Sequence, residues 1–195
     1  SVFIGHEAGS LLLGGTNVAI GYETMKGQAN STADANVAIG RMSLTAIDDG
    51  ASGNVAVGNN SGLSLLGGDD NTFIGYQSGD SITSGQRNVM VGASAGNTLV
   101  DDNDNVCIGY NAGDNLTAGN GNVIIGSYID AASTTASRQL AIGGSDGSGS
   151  NTYWITGTSD GSVNLPNSIL KINGSVGSDG QVLTSTGSAV AWESA

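Results

Sequence analysis

Proline is almost missing from this chain: Pro166 is the only one in 195 residues. Cysteine is as scarce, and Cys107 alone can form no disulfide within the chain. Histidine occurs once, at His6, and Phe, Trp and Tyr together make up 5% of the residues. Positive charge is confined to Lys26, Arg41, Arg87, Arg138 and Lys171, against 17 acidic residues and a net charge of −12. Such a surface repels phosphate backbones and anionic lipid, so nucleic acid is not an expected partner. No apolar run approaches the ~20 residues of a membrane-spanning helix, so no membrane insertion is expected, and no signal peptide is visible. Gly-x-Ser-x-Gly, His-Glu-x-x-His and phosphate-loop motifs are all lacking. A glycosidase needs only two carboxylates, but short, regular loops leave little room for its cleft. The chain is not expected to be an enzyme, to hold a catalytic residue or to need a cofactor.

What the chain has in quantity is glycine, 33 of them, set in a repeat. An Ile/Val-Gly pair places its glycine at Gly5, Gly21, Gly40, Gly58, Gly75, Gly92, Gly109, Gly126 and Gly143. The spacings are 16, 19, 18 and then 17 five times running. Four residues before the glycine stand Asn17, Asn36, Asn54, Asn71, Asn88, Asn105 and Asn122, with Ser1 and Gln139 at the ends. A second glycine follows four residues later at Gly9, Gly62, Gly79, Gly96 and Gly113. A fixed period over nine copies means a solenoid. Its unit reads as a strand such as Asn17-Val18-Ala19-Ile20-Gly21, a Gly turn, a second short strand at Leu12, Leu65, Ile82, Leu99 or Leu116, and a polar loop. The stacked asparagines would form a ladder of amide bonds. The expected fold is all-β: a parallel β-solenoid of about nine coils over 1–143, a Gly/Ser linker over 144–150 and a β-hairpin region over 151–195.

Side chains of a strand point alternately to its two faces. The flanking Val and Ile take one face, and the middle column Phe3, Ala19, Ala38, Ala56, Phe73, Met90, Cys107, Ile124 and Ala141 takes the other. Neither is polar, so both faces must be hidden. One coil's core covers only one of them. We assign the middle column to contact with a partner chain, which makes the protein a closed oligomer. Within this column Cys107 reads as a small packed residue and not a nucleophile.

Asn-Val-Ala-Ile-Gly at 17–21 and 36–40 resembles the head repeat of trimeric autotransporter adhesins of the YadA-like type. The longer Asn-Thr-Phe-Ile-Gly-Tyr-Gln-Ser-Gly at 71–79 and Asn-Val-Cys-Ile-Gly-Tyr-Asn-Ala-Gly at 105–113 look more like repeats of bacteriophage tail-fibre proteins. The resemblance spans 1–143 and departs from the adhesin repeat in its longer period. It implies a left-handed β-roll, a homotrimer, and a place on a virion appendage beside other fibre or baseplate proteins, or else on a bacterial cell surface. A host glycan or protein is the partner it implies. Gly180-Gln181-Val182-Leu183-Thr184-Ser185-Thr186-Gly187 with Trp192 is similar to a segment preceding the self-trimming chaperone of tail fibres and tailspikes. The start at Ser1, where the pattern asks for Asn, reads as a fragment or processed product with coils before it.

Three features remain. Acidic loops at Asp48-Asp49, Asp69-Asp70 and 101–104 offer oxygen ligands to Ca²⁺, but no complete calcium motif is present, and solvated turns are the preferred reading. Tyr22, Tyr76 and Tyr110 share the slot after the motif glycine, which His6, Arg41, Asn59 and Ala93 fill elsewhere. They form either a strip for stacking on sugars or packing over the next turn. Tyr153, Trp154 and Trp192 mark trimer packing or a receptor site at the tip. Hairpins are expected around 159–161 and 186–187, with a further strand over 169–172.

Overall fold

The computed structural model describes residues 1–13, 15–146, 150–165, 181–185 and 190–194, the last two segments as backbone strands. Nine strands stack in parallel: β1 (Val2–Ile4), β2 (Val18–Ile20), β3 (Val37–Ile39), β4 (Val55–Val57), β5 (Thr72–Ile74), β6 (Val89–Val91), β7 (Val106–Ile108), β8 (Val123–Ile125) and β9 (Leu140–Ser145). Each pairs with the next in repeat register, Ala56 opposite Phe73 and Phe73 opposite Met90. The chain is thus a parallel β-solenoid of eight turns, ~38 Å from first to last strand. The insertions between Gly21 and Gly58 leave register untouched, since Val18, Val37 and Val55 stay aligned.

The strands are short because the motif glycine ends them. At Gly58 φ is +141°, and a Cβ there would lie 2.3 Å from the Gly75 carbonyl oxygen. Only glycine can turn the corner with the next coil so close. The segment that follows is not the second strand expected. Residues two beyond the first eight motif glycines, Glu7, Glu23, Met42, Asn60, Gln77, Ser94, Asn111 and Tyr128, all have φ between 50 and 58°. Left-handed residues recurring at every second position, Gln77 and Gly79 or Ser94 and Gly96, make a row of turns. This row is tied coil to coil by bonds such as Gln77 N–H to the Asn59 carbonyl at 3.0 Å and Gly79 N–H to the Ala95 carbonyl at 3.0 Å. Outside the named strands and among the described residues, only Leu12 with Ser31 and Asp34 with Ser52 form β-bridges.

The assignment of faces is the reverse of the one expected. Ala19, Ala38, Ala56, Phe73, Met90, Cys107 and Ile124 have no exposed surface within the single chain, and Ala141 is 3% exposed. Only Phe3, on the first coil, is open, at 42%. The middle column therefore fills the coil's own interior together with Ile47, Leu65, Ile82, Leu99 and Leu116. Its varied size has a reason four residues past the motif glycine. There Met25 and Leu44 are buried in the coils of Ala19 and Ala38, whereas Gly79 and Gly96 accompany Phe73 and Met90. A Cβ on Gly79 would come within 2.5 Å of the Phe73 ring, and one on Gly96 within 2.3 Å of the Met90 sulfur. In these layers one large side chain fills the junction, supplied by either position, and beside Ala56 and Gly62 the space is taken by Phe73 and Leu44 from the coils on either side. Burial pushes the Cys107 thiol up to about 12, consistent with packing and not reactivity.

The asparagine ladder is continuous. Asn71 donates Nδ2–H and its backbone N–H to Asn54 Oδ1 at 3.0 and 2.9 Å. Its Oδ1 accepts the same pair from Asn88. The second Nδ2 proton goes to the Gly85 carbonyl at 2.8 Å. The pattern runs from Asn17 to Gln139, and the seven asparagines are fully buried.

The solenoid ends in antiparallel strands. β10 (Asn151–Gly157) folds back along β9, pairing Asn151 with Ser145 and Gly157 with Leu140, and β11 (Val163–Asn164) pairs with β10. Gly144 and Ser145, the first two residues of the expected linker, belong to β9. The last coil has a free sheet edge, and a strand returning over it satisfies that edge. The hairpin around 159–161 is present, with Asp160 accepting from Ser162 N–H at 2.9 Å. β12 (Gln181–Ser185) and β13 (Val190–Ser194) form the second, pairing Leu183 with Trp192. The strand expected over 169–172 lies outside the described residues.

Candidate interaction face

Turning the middle column inward turns its neighbours outward. Val2, Val18, Val37, Val55, Thr72, Val89, Val106, Val123 and Leu140 form one outer column. Ile4, Ile20, Ile39, Val57, Ile74, Val91, Ile108, Ile125 and Ile142 form the other. All eighteen are uncharged, and Thr72 alone carries a polar group. None is fully buried, and Ile39, Ile74 and Ile108 are 38–40% exposed. They lie on a parallel sheet face two side chains wide that runs the length of the solenoid. Parallel sheets are normally covered on both faces. The sequence did carry a signal for this assignment: apart from Leu140 the outer columns are β-branched throughout, as suits a flat sheet surface, whereas the middle column varies from Ala to Phe because it must fit its neighbours.

Beside this stripe runs the row that follows the motif glycine. His6 stacks on Tyr22 with ring centroids 5.2 Å apart and planes 9° from parallel, and the Arg41 guanidinium sits 5.8 Å from the Tyr22 ring centre. Tyr110 meets Tyr128 edge-on at 5.0 Å. Tyr22, Tyr76 and Tyr110 are all about half exposed. Among the other aromatic candidates, Tyr153 is half-buried against the core, Trp154 is exposed beside Gly144, and Trp192 is described through its backbone pairing alone.

The acidic loops are engaged by their neighbours. Asp49 Oδ1 accepts from Thr32 N–H at 2.7 Å, Asp69 Oδ1 from Ser52 N–H at 2.9 Å, and Asp101 Oδ1 from the Thr83 and Ser84 hydroxyls. Asn103 and Asn120 repeat the Asp69 arrangement from Gln86 N–H and Asn103 N–H. Two residues before the ladder asparagine there is thus a second side-chain ladder, with Asp, Asn or Ser as the acceptor. Sequence reading missed it because these residue types are interchangeable in that role. Arg87 closes one loop with two bonds to Asp104, which hold that carboxyl below its usual range. Among the described residues no group of three or more His, Cys, Asp or Glu stands close enough to hold a metal ion.

Asp80 and Asp130 depart the other way, Asp80 raised by burial. Asp130 lines a cavity of about 260 Å³ with Ala132, Leu140, Ala141, Tyr153 and Thr156, where β10 closes the last coil. Burial, and then the hydrogen bond and charge of Asp114, push it up to about 6. The folded chain holds this proton more tightly than an unfolded carboxyl does. Its stabilising effect is therefore complete below the ordinary value of 3.8 and is lost as pH rises through about 6. Asp130→Asn imitates the protonated form. The variant should match wild type in thermal midpoint near pH ~4 and exceed it at pH ~7. A pH-independent difference between the two would remove this role.

Comparison of the chain with family models, with curated proteins and with solved structures returns no match.

Proposed function

We propose that this chain is a structural and adhesive segment of a homotrimeric phage fibre, on a tail fibre or another virion appendage, and that it presents a host-attachment surface. The observation that carries the reading is the outward stripe of eighteen uncharged side chains. A lone chain would leave it wet along ~38 Å, which monomers rarely do. Three copies packed stripe to stripe about one axis close it without an open end. The repeats at 71–79 and 105–113, with their resemblance to tail-fibre repeats, support the phage assignment. The net charge of −12 keeps neighbouring fibres apart. The shorter Asn-Val-Ala-Ile-Gly copies at 17–21 and 36–40 favour the second reading, the head of a bacterial trimeric adhesin.

Sedimentation equilibrium tests the assembly. The expected mass is three times the 19.2 kDa chain. Ile74→Asp with Val91→Asp places charges on the stripe and should give a folded, smaller species. Ala56→Asp buries its charge inside the coil and should unfold the chain instead. A wild type that sediments as a monomer overturns the reading. Gold-labelled antibody against the chain should decorate virions; decoration of bacterial surfaces alone would select the adhesin.

A further inference from the structure

The three tyrosines of the row differ in what already touches them. Tyr22 has His6 stacked on it and the Arg41 guanidinium over its ring. Tyr110 takes the edge contact with Tyr128, from the coil that follows it. Tyr76, 53% exposed, has no ring or cation partner among the described residues. Between Tyr76 and Tyr110 stands Ala93, whose side chain is a single methyl group. The three lie on consecutive rungs: Ser94 N–H donates to the Tyr76 carbonyl at 2.8 Å, and Asn111 N–H to the Ala93 carbonyl at 2.9 Å. The tyrosines are thus two strand spacings apart, ~9.6 Å, with an alanine floor between them.

A ring set over Ala93 would lie ~4.8 Å from each tyrosine position, within the ~4.5–7 Å separation of stacked rings. The next residues along, Gln77, Ser94 and Asn111, are half-exposed and bring two amides and a hydroxyl to the rim. Aromatic walls with amide and hydroxyl groups beside them match a sugar, whose C–H face is apolar and whose edge carries hydroxyls. The excess of negative charge disfavours sugars bearing carboxylates or phosphates. We infer that Tyr76, Ala93 and Tyr110 form a slot for one pyranose ring of a neutral glycan. The inference rests on the attachment reading above and names the ligand class for it.

The test uses the full chain in its native assembly on an array of neutral hexose and N-acetylhexosamine oligosaccharides, with sialylated and uronic-acid glycans beside them. Neutral glycans should be retained and acidic ones not. For the best-bound glycan, titration calorimetry should give a Kd weakened about tenfold or more by Tyr76→Ala and again by Tyr110→Ala. Ala93→Phe, which fills the slot while keeping both tyrosines, should abolish binding, and Tyr22→Ala should leave it unchanged. No retention of any neutral glycan, or equal affinity in the Ala93→Phe variant, overturns the slot. Sedimentation of the same variants separates the two proposals. Unchanged mass with lost binding supports the slot, whereas a lower mass assigns these residues to assembly and overturns it. A monomeric wild type that still binds would remove the fibre reading and leave the slot.

Discussion

Asn71→Asp should lower the unfolding free energy by about 3–5 kcal/mol, the cost of leaving a buried charge without compensation. Asn71 is fully buried, and its Nδ2 donates to Asn54 Oδ1 at 3.0 Å and to the Gly85 carbonyl at 2.8 Å. Aspartate preserves the side-chain size and the oxygen that accepts from Asn88. It turns both donor positions into an acceptor facing two other acceptors. Protonation returns one donor, so the folded carboxyl would titrate above its unfolded value, and the defect should ease in acid and deepen as pH rises. Denaturant unfolding followed by circular dichroism at pH ~4 and ~7 reads both effects. A loss under ~1 kcal/mol at neutral pH would mean that the ladder contributes no more than an ordinary exposed hydrogen bond.

Gly79→Met should destabilise by a similar amount, and Phe73→Ala in the same chain should restore most of the loss. The glycine lies at φ +57° with the Phe73 ring 2.5 Å from where its Cβ would stand. Met25 and Leu44 occupy the equivalent place at φ 46° and 49°, each with alanine in the strand. The backbone thus accepts a side chain there once the ring is gone. Phe73→Ala alone empties the layer and should cost about 3–5 kcal/mol. The double variant rebuilds the layer of the Ala19 coil, so the cycle should give a favourable coupling of about 4 kcal/mol or more, beyond the usual ~0.5–3 kcal/mol range. Additive losses would show that the two sites do not share one space.

These predictions draw on both halves of what the repeat encodes. Its period placed every strand of the solenoid, the glycine corners and the asparagine ladder, because the corners admit only glycine and the ladder asks for a side-chain amide, Asn in seven coils and Gln139 in the last. Only glycine fits beside the Gly75 carbonyl at φ +141°. Asparagine carries both a donor pair and an acceptor at the right reach. The acceptors two residues earlier were illegible since Asp, Asn and Ser serve alike. The turn row after each glycine passed for a second strand because leucine or isoleucine seven residues on has the same apolar signature in either geometry. The stacking of His6 on Tyr22 depends on neighbours 16 residues apart, and the row alone did not say which tyrosines would be occupied.

The order of residues was enough to decide that the chain coils, how often, and where it turns, since backbone sterics and amide pairing act within one repeat and its neighbour. Which face of the strand lines the interior was left to the folded coil. Alternation alone leaves the two apolar faces equivalent; the β-branched outer columns hint at the choice, and the closeness of Gly79 to Phe73 and of Gly96 to Met90 makes it. The outer stripe exists because that choice was made by volume.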